Sequence, residues 1–254
     1  MRLYGFRGAA LGLSLVVAPA LAGSPAVAAD AYSAEQRQAI EAIVRDYLIK
    51  NPDVLIEVLE AAKEKLSSDA QAARATTLAE RRQEIFEDPN APVAGNPKGD
   101  VTLVEFFDYR CPYCKQVAPA IDALLAEDKK LRVVYKEFPV LGPESATAAR
   151  AALAAQKQGK YEALHRALIG MKGQINEAAI FGAAKSAGLD VERLKRDMEA
   201  PEIDGFLQAN HQLASALDIR GTPGFVIGDE VVPGAVSVDA LRQMIATART
   251  PKEK

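Results

Sequence analysis

Cys111, Pro112, Tyr113 and Cys114 carry the most evident chemistry of this chain. They include its only two cysteines, which stand at the end of an apolar run. A thiol pair at this spacing, with the first sulfur at a helix N-terminus, can cycle between dithiol and disulfide. The same spacing also supplies half of a zinc site, so the motif alone leaves both chemistries open. Structural zinc takes four ligands, usually as two close pairs, and the two histidines, His165 and His211, form no such pair. Each sits in a helical pattern and reads as a surface or packing residue. Cu(I) needs only two or three soft ligands, so Cys111 and Cys114 could bind it without further help. No resident metal and no cofactor are expected.

Two other places bear on the same chemistry. Gly221-Thr222-Pro223-Gly224 stands just before an apolar stretch, where a proline marks a strand start or a cis turn. Glu105 lies inside the apolar run LVEFF and shares a strand face with Leu103 and Phe107. A carboxylate in such a place is costly unless paired or protonated. Glu105 is therefore expected to relay the proton of Cys114, with Lys136 of the stretch VVYKEF modulating its charge.

The elements that would position these residues follow from periodicity. Residues 101–108 (VTLVEFFD) read as a buried strand running into the cysteines, and Pro112 suits the first turn of a following helix. Residues 131–138 read as a second strand, 144–217 as a block of four or five helices, and 224–234 as a hairpin before a helix capped by Ser237. This order describes an α/β layered domain with mixed strand directions. The proline- and glycine-rich stretch 87–100 reads as its boundary, placing the domain at 89–254.

Upstream, residues 30–88 are helical in pattern. Ser33 and Gln36 form a capping box, Asn51-Pro52 separates two helices, and Leu55, Leu59, Ala62 and Leu66 recur at three- and four-residue steps. Such a stripe either packs on its own globular domain or pairs with other copies of the chain. Asp69 interrupts it, so 67–88 reads as a stalk or hinge. Residues 1–29 combine Arg2 and Arg7 with an apolar run and small residues near Ala28, the pattern of a cleaved secretory signal. Export would put the cysteines in a compartment where disulfides form and persist. The formal net charge of −3 gives no reason to expect nucleic-acid binding.

Taken together, VEFFDYRCPYC, GTPG and the intervening helical block resemble the DsbA-like thioredoxin-fold thiol-disulfide oxidoreductases of the bacterial periplasm. The helical extension before a CPYC domain is similar to the suppressor-of-copper-sensitivity C (ScsC) proteins. The resemblance implies a thioredoxin fold with a helical insertion, preceded by an oligomerisation stalk. It assigns Cys111 as nucleophile, Cys114 as resolving cysteine, Glu105 as the buried carboxylate, and Thr222 and Pro223 as substrate contacts beside Pro112 and Tyr113. It also implies a homo-oligomer, with a trimer favoured, acting on unfolded or misoxidised exported proteins and reset by a membrane redox partner. Pro-Tyr between the cysteines and Thr222 before the proline depart from the DsbA pattern of Pro-His and Val. Disulfide isomerisation or reduction is therefore the expected activity, with dithiol oxidation and Cu(I) binding as alternatives. An imidazolium in place of Tyr113 would favour the Cys111 thiolate and make the disulfide more oxidising.

Overall fold

The computed structural model describes residues 32–250. The secretory signal expected over 1–29 lies outside the described residues. The chain divides into two compact units, one ending at Lys63 and the other beginning at Glu64.

In the first unit, helix α1 (Ala34–Lys50) opens with the expected capping box, Ser33 accepting from the Gln36 amide while Gln36 reaches back to the Ser33 amide. Asn51 ends α1 by donating through its side chain to the Tyr47 carbonyl, 2.8 Å away. Helix α2 (Pro52–Glu80) then starts at the proline, whose missing N–H costs nothing in a first turn. Ile43, Tyr47, Val58 and Leu59 are all more than half exposed, and α1 buries no residue at all.

The second unit is built on a five-stranded mixed sheet, β1 (Val93–Gly95), β2 (Val101–Phe107), β3 (Leu131–Glu137), β4 (Gly224–Ile227) and β5 (Glu230–Pro233). The spatial order is β1-β3-β2-β4-β5, with β2 and β3 parallel and the other pairs antiparallel. Helix α4 (Pro112–Glu127) connects the parallel pair. The expected helical block is five helices: α5 (Pro143–Gln156), α6 (Tyr161–Ile169), α7 (Glu177–Ser186), α8 (Val191–Met198) and α9 (Pro201–Ala216). Helix α10 (Val238–Arg249) follows the hairpin, with Ser237 accepting from the Ala240 amide at its start.

Strand alternation sorts the core into two layers. Leu103, Phe107, Val133, Tyr135 and Phe225 point to the layer that holds both cysteines, with α4, α10 and the helical block. Val104, Phe106, Val134 and Val226 point to the other, where Leu213, Ala214 and Leu217 of α9 meet Leu78, Ile85 and Phe86. Ile85 and Phe86 belong to α3 (Arg82–Phe86). The stalk expected over 67–88 therefore ends in packed core, and the boundary expected at 88/89 falls inside this unit. The stretch 87–100 is also more than a linker. It contributes β1, whose Gly95 adopts φ +78° because a Cβ there would meet the Leu131 carbonyl at 2.6 Å. Its proline and glycine content masked a strand of only three residues.

Lys136 lies in the second layer. Its fully buried ammonium donates to Asp88 Oδ2 at 2.7 Å and stands over the Phe206 ring. Burial pulls its pKa down, and the Asp88 carboxylate opposes that. Removing one partner of a buried pair leaves an uncompensated charge. Asp88→Ala is expected to destabilise the unit by about 2–3 kcal/mol, while Lys136→Met in the same background restores part of the loss. Denaturant titration of the single and double variants measures both.

Candidate active site

The end of β2 delivers the chain to the first cysteine. Asp108 accepts the Cys111 amide through its carbonyl at 3.0 Å, and Cys111 takes extended backbone angles as the N-cap of α4. Pro112 occupies the first turn, where its fixed φ suits the helix. The helix's free N–H groups and positive dipole end thus surround the Cys111 sulfur, as expected from the sequence. Pro112 and Tyr113 are exposed, Tyr113 at 60%, whereas Cys114 is completely buried one turn in.

The opposing wall comes from a segment more than a hundred residues away. The Thr222–Pro223 peptide bond is cis, and the Cys111 thiol donates to the Thr222 carbonyl at 3.2 Å. Pro223 is buried, and its carbonyl accepts the Gly234 amide at 2.8 Å, tying the loop to the hairpin's far end. Gly224 begins β4 hard against Ile219, which a Cβ would meet at 2.6 Å.

Glu105 lies beneath this pair, in register between Tyr135 of β3 and Phe225 of β4. Burial raises its pKa to about 8, so at neutral pH the carboxyl is mostly protonated. Burial likewise pushes the Cys114 thiol up, and the Glu105 charge adds to the shift, while the Asp108 backbone amide opposes it. Glu105 and Cys114 are thus electrostatically coupled, as the proton relay requires. Lys136 is not part of the relay. The side chain paired with Glu105 on β3 is Tyr135, and Lys136 stands opposite Phe106 on the other sheet face. Reading VVYKEF by alternation from Glu105's partner, rather than by charge, would have excluded it.

A second buried polar group adjoins the site. Tyr109 and Tyr161 both donate to Glu137 Oε1, at 2.9 and 2.8 Å. Tyr109 also bonds His165 Nδ1 at 3.1 Å, and the His165 ring stacks on Tyr161. Burial raises the Glu137 pKa well above the usual range and lowers that of His165 to about 3, leaving both neutral. His165 is therefore an interior packing residue, and His211 lies edge-on to Phe138. Among the described residues no group of three or more His, Cys, Asp or Glu side chains is placed to hold a metal ion.

A thioredoxin-type site is thus assembled: a cysteine pair at a helix start, a facing cis-proline loop and a buried carboxylate beneath. The chain matches the DsbA-like thioredoxin domain over residues 102–246 and belongs to that family, the thiol-disulfide oxidoreductases. Residues 36–65 match the copper resistance protein ScsC N-terminal domain, which makes this a DsbA-like domain carrying an ScsC-type extension. A thioredoxin-like oxidoreductase from Silicibacter pomeroyi is 51% identical, covering 66% of this chain and 97% of that one, with a TM-score of 0.65. Proteus mirabilis ScsC in a transitional conformation is 33% identical, covering 86% and 97%, with a TM-score of 0.64. The thiol-disulfide exchange protein α-DsbA2 from Wolbachia pipientis is 27% identical, covering 70% and 96%, at 0.65. Among curated proteins, the Na(+)/H(+) antiporter NhaA 1 of Salinispora arenicola is 30% identical over 166 residues. That match covers 61% of this chain but only 24% of the antiporter. The chain spans about a quarter of the length of the curated relatives it matches. Among the described residues no helix is long and apolar enough to cross a membrane.

The raised pKa of Glu105 has a consequence for stability. The folded chain holds this proton more tightly than the unfolded one, so the stabilisation is complete below about 4.5 and is lost as pH rises toward 8. Glu105→Gln, neutral throughout, is expected to gain in stability relative to the parent across that window, by at most about 1.4 kcal/mol per pH unit. Thermal unfolding of both proteins at pH 5 and pH 8 gives the comparison. Equal differences at the two pH values would remove Glu105 as a buried titrating group.

Proposed function

We propose that this protein is an exported, periplasmic protein-disulfide isomerase and reductase that works through mixed disulfides. The observation that carries this reading is the burial of Cys114 beside Glu105, which holds the resolving thiol protonated. The Cys111 thiolate attacks one sulfur of a substrate disulfide, forming a mixed disulfide and releasing the other substrate sulfur as a thiolate. If a substrate thiolate then attacks the bridged substrate sulfur, a new substrate disulfide forms, Cys111 leaves as thiolate, and no net oxidation occurs. If Cys114 attacks Cys111 instead, its proton passing to the ionised form of Glu105, the substrate leaves reduced and the protein keeps the disulfide. Slow ionisation of Cys114 lengthens the interval in which rearrangement can win. Thr222, Pro223, Pro112 and Tyr113 border Cys111 and would contact the substrate chain.

The N-terminal helices supply a second element of the reading. Ile40, Val44, Leu48 and Leu55 line an open apolar groove, and Ile43, Tyr47, Val58 and Leu59 stand exposed around it. Surfaces of this kind mark association sites. The proposed occupant is the same segment of other copies, in a trimer, so that several active sites face one misoxidised substrate. Proteus mirabilis ScsC shares this arrangement of extension and domain over nearly its whole length. A membrane redox partner would return the cysteine pair to the dithiol.

The full chain is expected to be oligomeric by light scattering and to restore activity to scrambled ribonuclease. Leu55→Glu with Leu59→Glu should yield monomers whose rescue is several-fold slower but whose reduction of a small disulfide is unchanged. A full-length monomer with no rescue would sink the isomerase reading, and rapid oxidation of reduced substrates by that monomer would mark a dithiol oxidase. The copper-resistance designation of the matched N-terminal domain favours Cu(I) binding as a second activity. Reduced protein should then take up about one Cu(I) per chain through two thiolates, and Cys111→Ser should abolish uptake. Uptake that survives this substitution would dismiss Cys111 and Cys114 as the copper ligands.

A further inference from the structure

We infer that Asp108 is a positioning residue for the redox couple, its buried carboxylate fixing the turn that presents Cys111 and Cys114. The inference rests on thiol–disulfide exchange at this site and is independent of the isomerase reading. Asp108 is 1% exposed and sits between Phe107 and Tyr109, whose rings meet edge to face in the cysteine layer. Four donors hold its carboxylate. Oδ1 accepts from the Arg110 amide at 2.7 Å and from Ser145 Oγ at 2.8 Å. Oδ2 accepts from the amides of Val140 and Leu141 at 2.8 and 3.0 Å. These bonds fill the accepting capacity of a carboxylate.

They also join four parts of the structure: the end of β2, the start of α4, the loop after β3 and the first turn of α5. The Arg110 contact alone is a local side-chain turn, which asparagine or serine would make as well. Oδ2 serves another purpose, gripping the 140–141 loop across the sheet. Arg110 closes the same loop from outside, donating to the Leu141 carbonyl at 2.6 Å and to Glu144 at 2.8 Å. Gly142, at φ +114°, leaves room for that guanidinium, which a Cβ would meet at 2.9 Å.

The backbone of Asp108 faces the reacting sulfurs. Its carbonyl takes the Cys111 amide, and its own amide favours the ionised form of Cys114 against burial and the Glu105 charge. A turn released from the 140–141 loop would draw that amide away from Cys114, so the resolving thiolate would form less readily. The affected step is the second of two exchanges. With glutathione disulfide, Cys111 thiolate attacks first, forming a Cys111–glutathione mixed disulfide and releasing one glutathione thiolate. Cys114 thiolate then attacks Cys111, closing the protein disulfide and releasing the second.

Reduced full-length protein mixed with glutathione disulfide, quenched in acid and resolved by mass, reports the lifetime of the mixed disulfide at each pH. Asp108→Asn keeps the local turn but puts an NH2 group against the donors of the 140–141 loop. It is expected to lengthen the lifetime about tenfold and to move its pH profile up by about one unit. Ser145→Ala removes one bond and should shift both in the same direction by less. A folded Asp108→Asn, judged by near-UV circular dichroism, with an unmoved profile would overturn the inference. If Asp108→Asn does not fold, an unmoved profile in Ser145→Ala overturns it instead.

Discussion

The hydrogen bond from the Cys111 thiol to the Thr222 carbonyl is the contact on which the rest of the site depends. It joins a helix N-terminus to a loop that the chain reaches only after five further helices. Neither side of the contact is chemically distinctive alone. A cysteine at an N-cap is a reactive thiol, and a proline at a strand start is an ordinary loop residue. Their juxtaposition requires β2 and β4 to be neighbours, which the sheet order provides, and Gly224 to pass close to Ile219. When Cys111 enters a mixed disulfide its S–H donor is gone. The Thr222 carbonyl then needs another donor, and a backbone amide of the attached substrate is suitably polar for that purpose.

Below this contact the governing quantity is burial. Glu105 and Cys114 each prefer to keep a proton because water is excluded from both, and each disfavours ionisation of the other. Proton and electron movements at the site are coupled in this way without a metal ligand or a histidine base. Glu137 and His165 extend the neutral interior, since both are buried in uncharged form among Tyr109, Tyr135 and Tyr161. The one full ion pair with a completely buried member, Lys136 with Asp88, stands on the opposite sheet face. That separation keeps an ammonium from stabilising the Glu105 carboxylate.

The cysteine pair, Pro223 and Glu105 were legible because each breaks a local pattern: two thiols ending an apolar strand, a proline opening one, a carboxylate inside one. Strand alternation placed Glu105 on the face with Phe107 that the structure shows. Lys136 was misread because charge was weighed before register, and parity alone puts it opposite Phe106. Asp108 and Glu137 were missed for a different reason. Their partners, the amides of Val140 and Leu141 for one and the tyrosine hydroxyls for the other, are distant in sequence and leave no local periodic trace. Phe86 and Ile85 were assigned to a stalk because a helix of five residues is too short to show a buried face by pattern.

Helix α5 contributes through what it lacks. Ala148, Ala149, Ala151, Ala152, Ala154 and Ala155 are all essentially inaccessible to solvent, so neighbouring elements close around a nearly smooth rod. Alanine has no rotamers to lose on burial and none to switch between afterwards. The layer beside the cysteines can therefore neither rearrange by side-chain hopping nor take up added methyl groups without moving backbone. Mutational drift at these six positions is confined to residues of alanine's size or smaller. Change in substrate preference is left to the exposed rim at Tyr113, Val140 and Leu141, where a new side chain displaces only water.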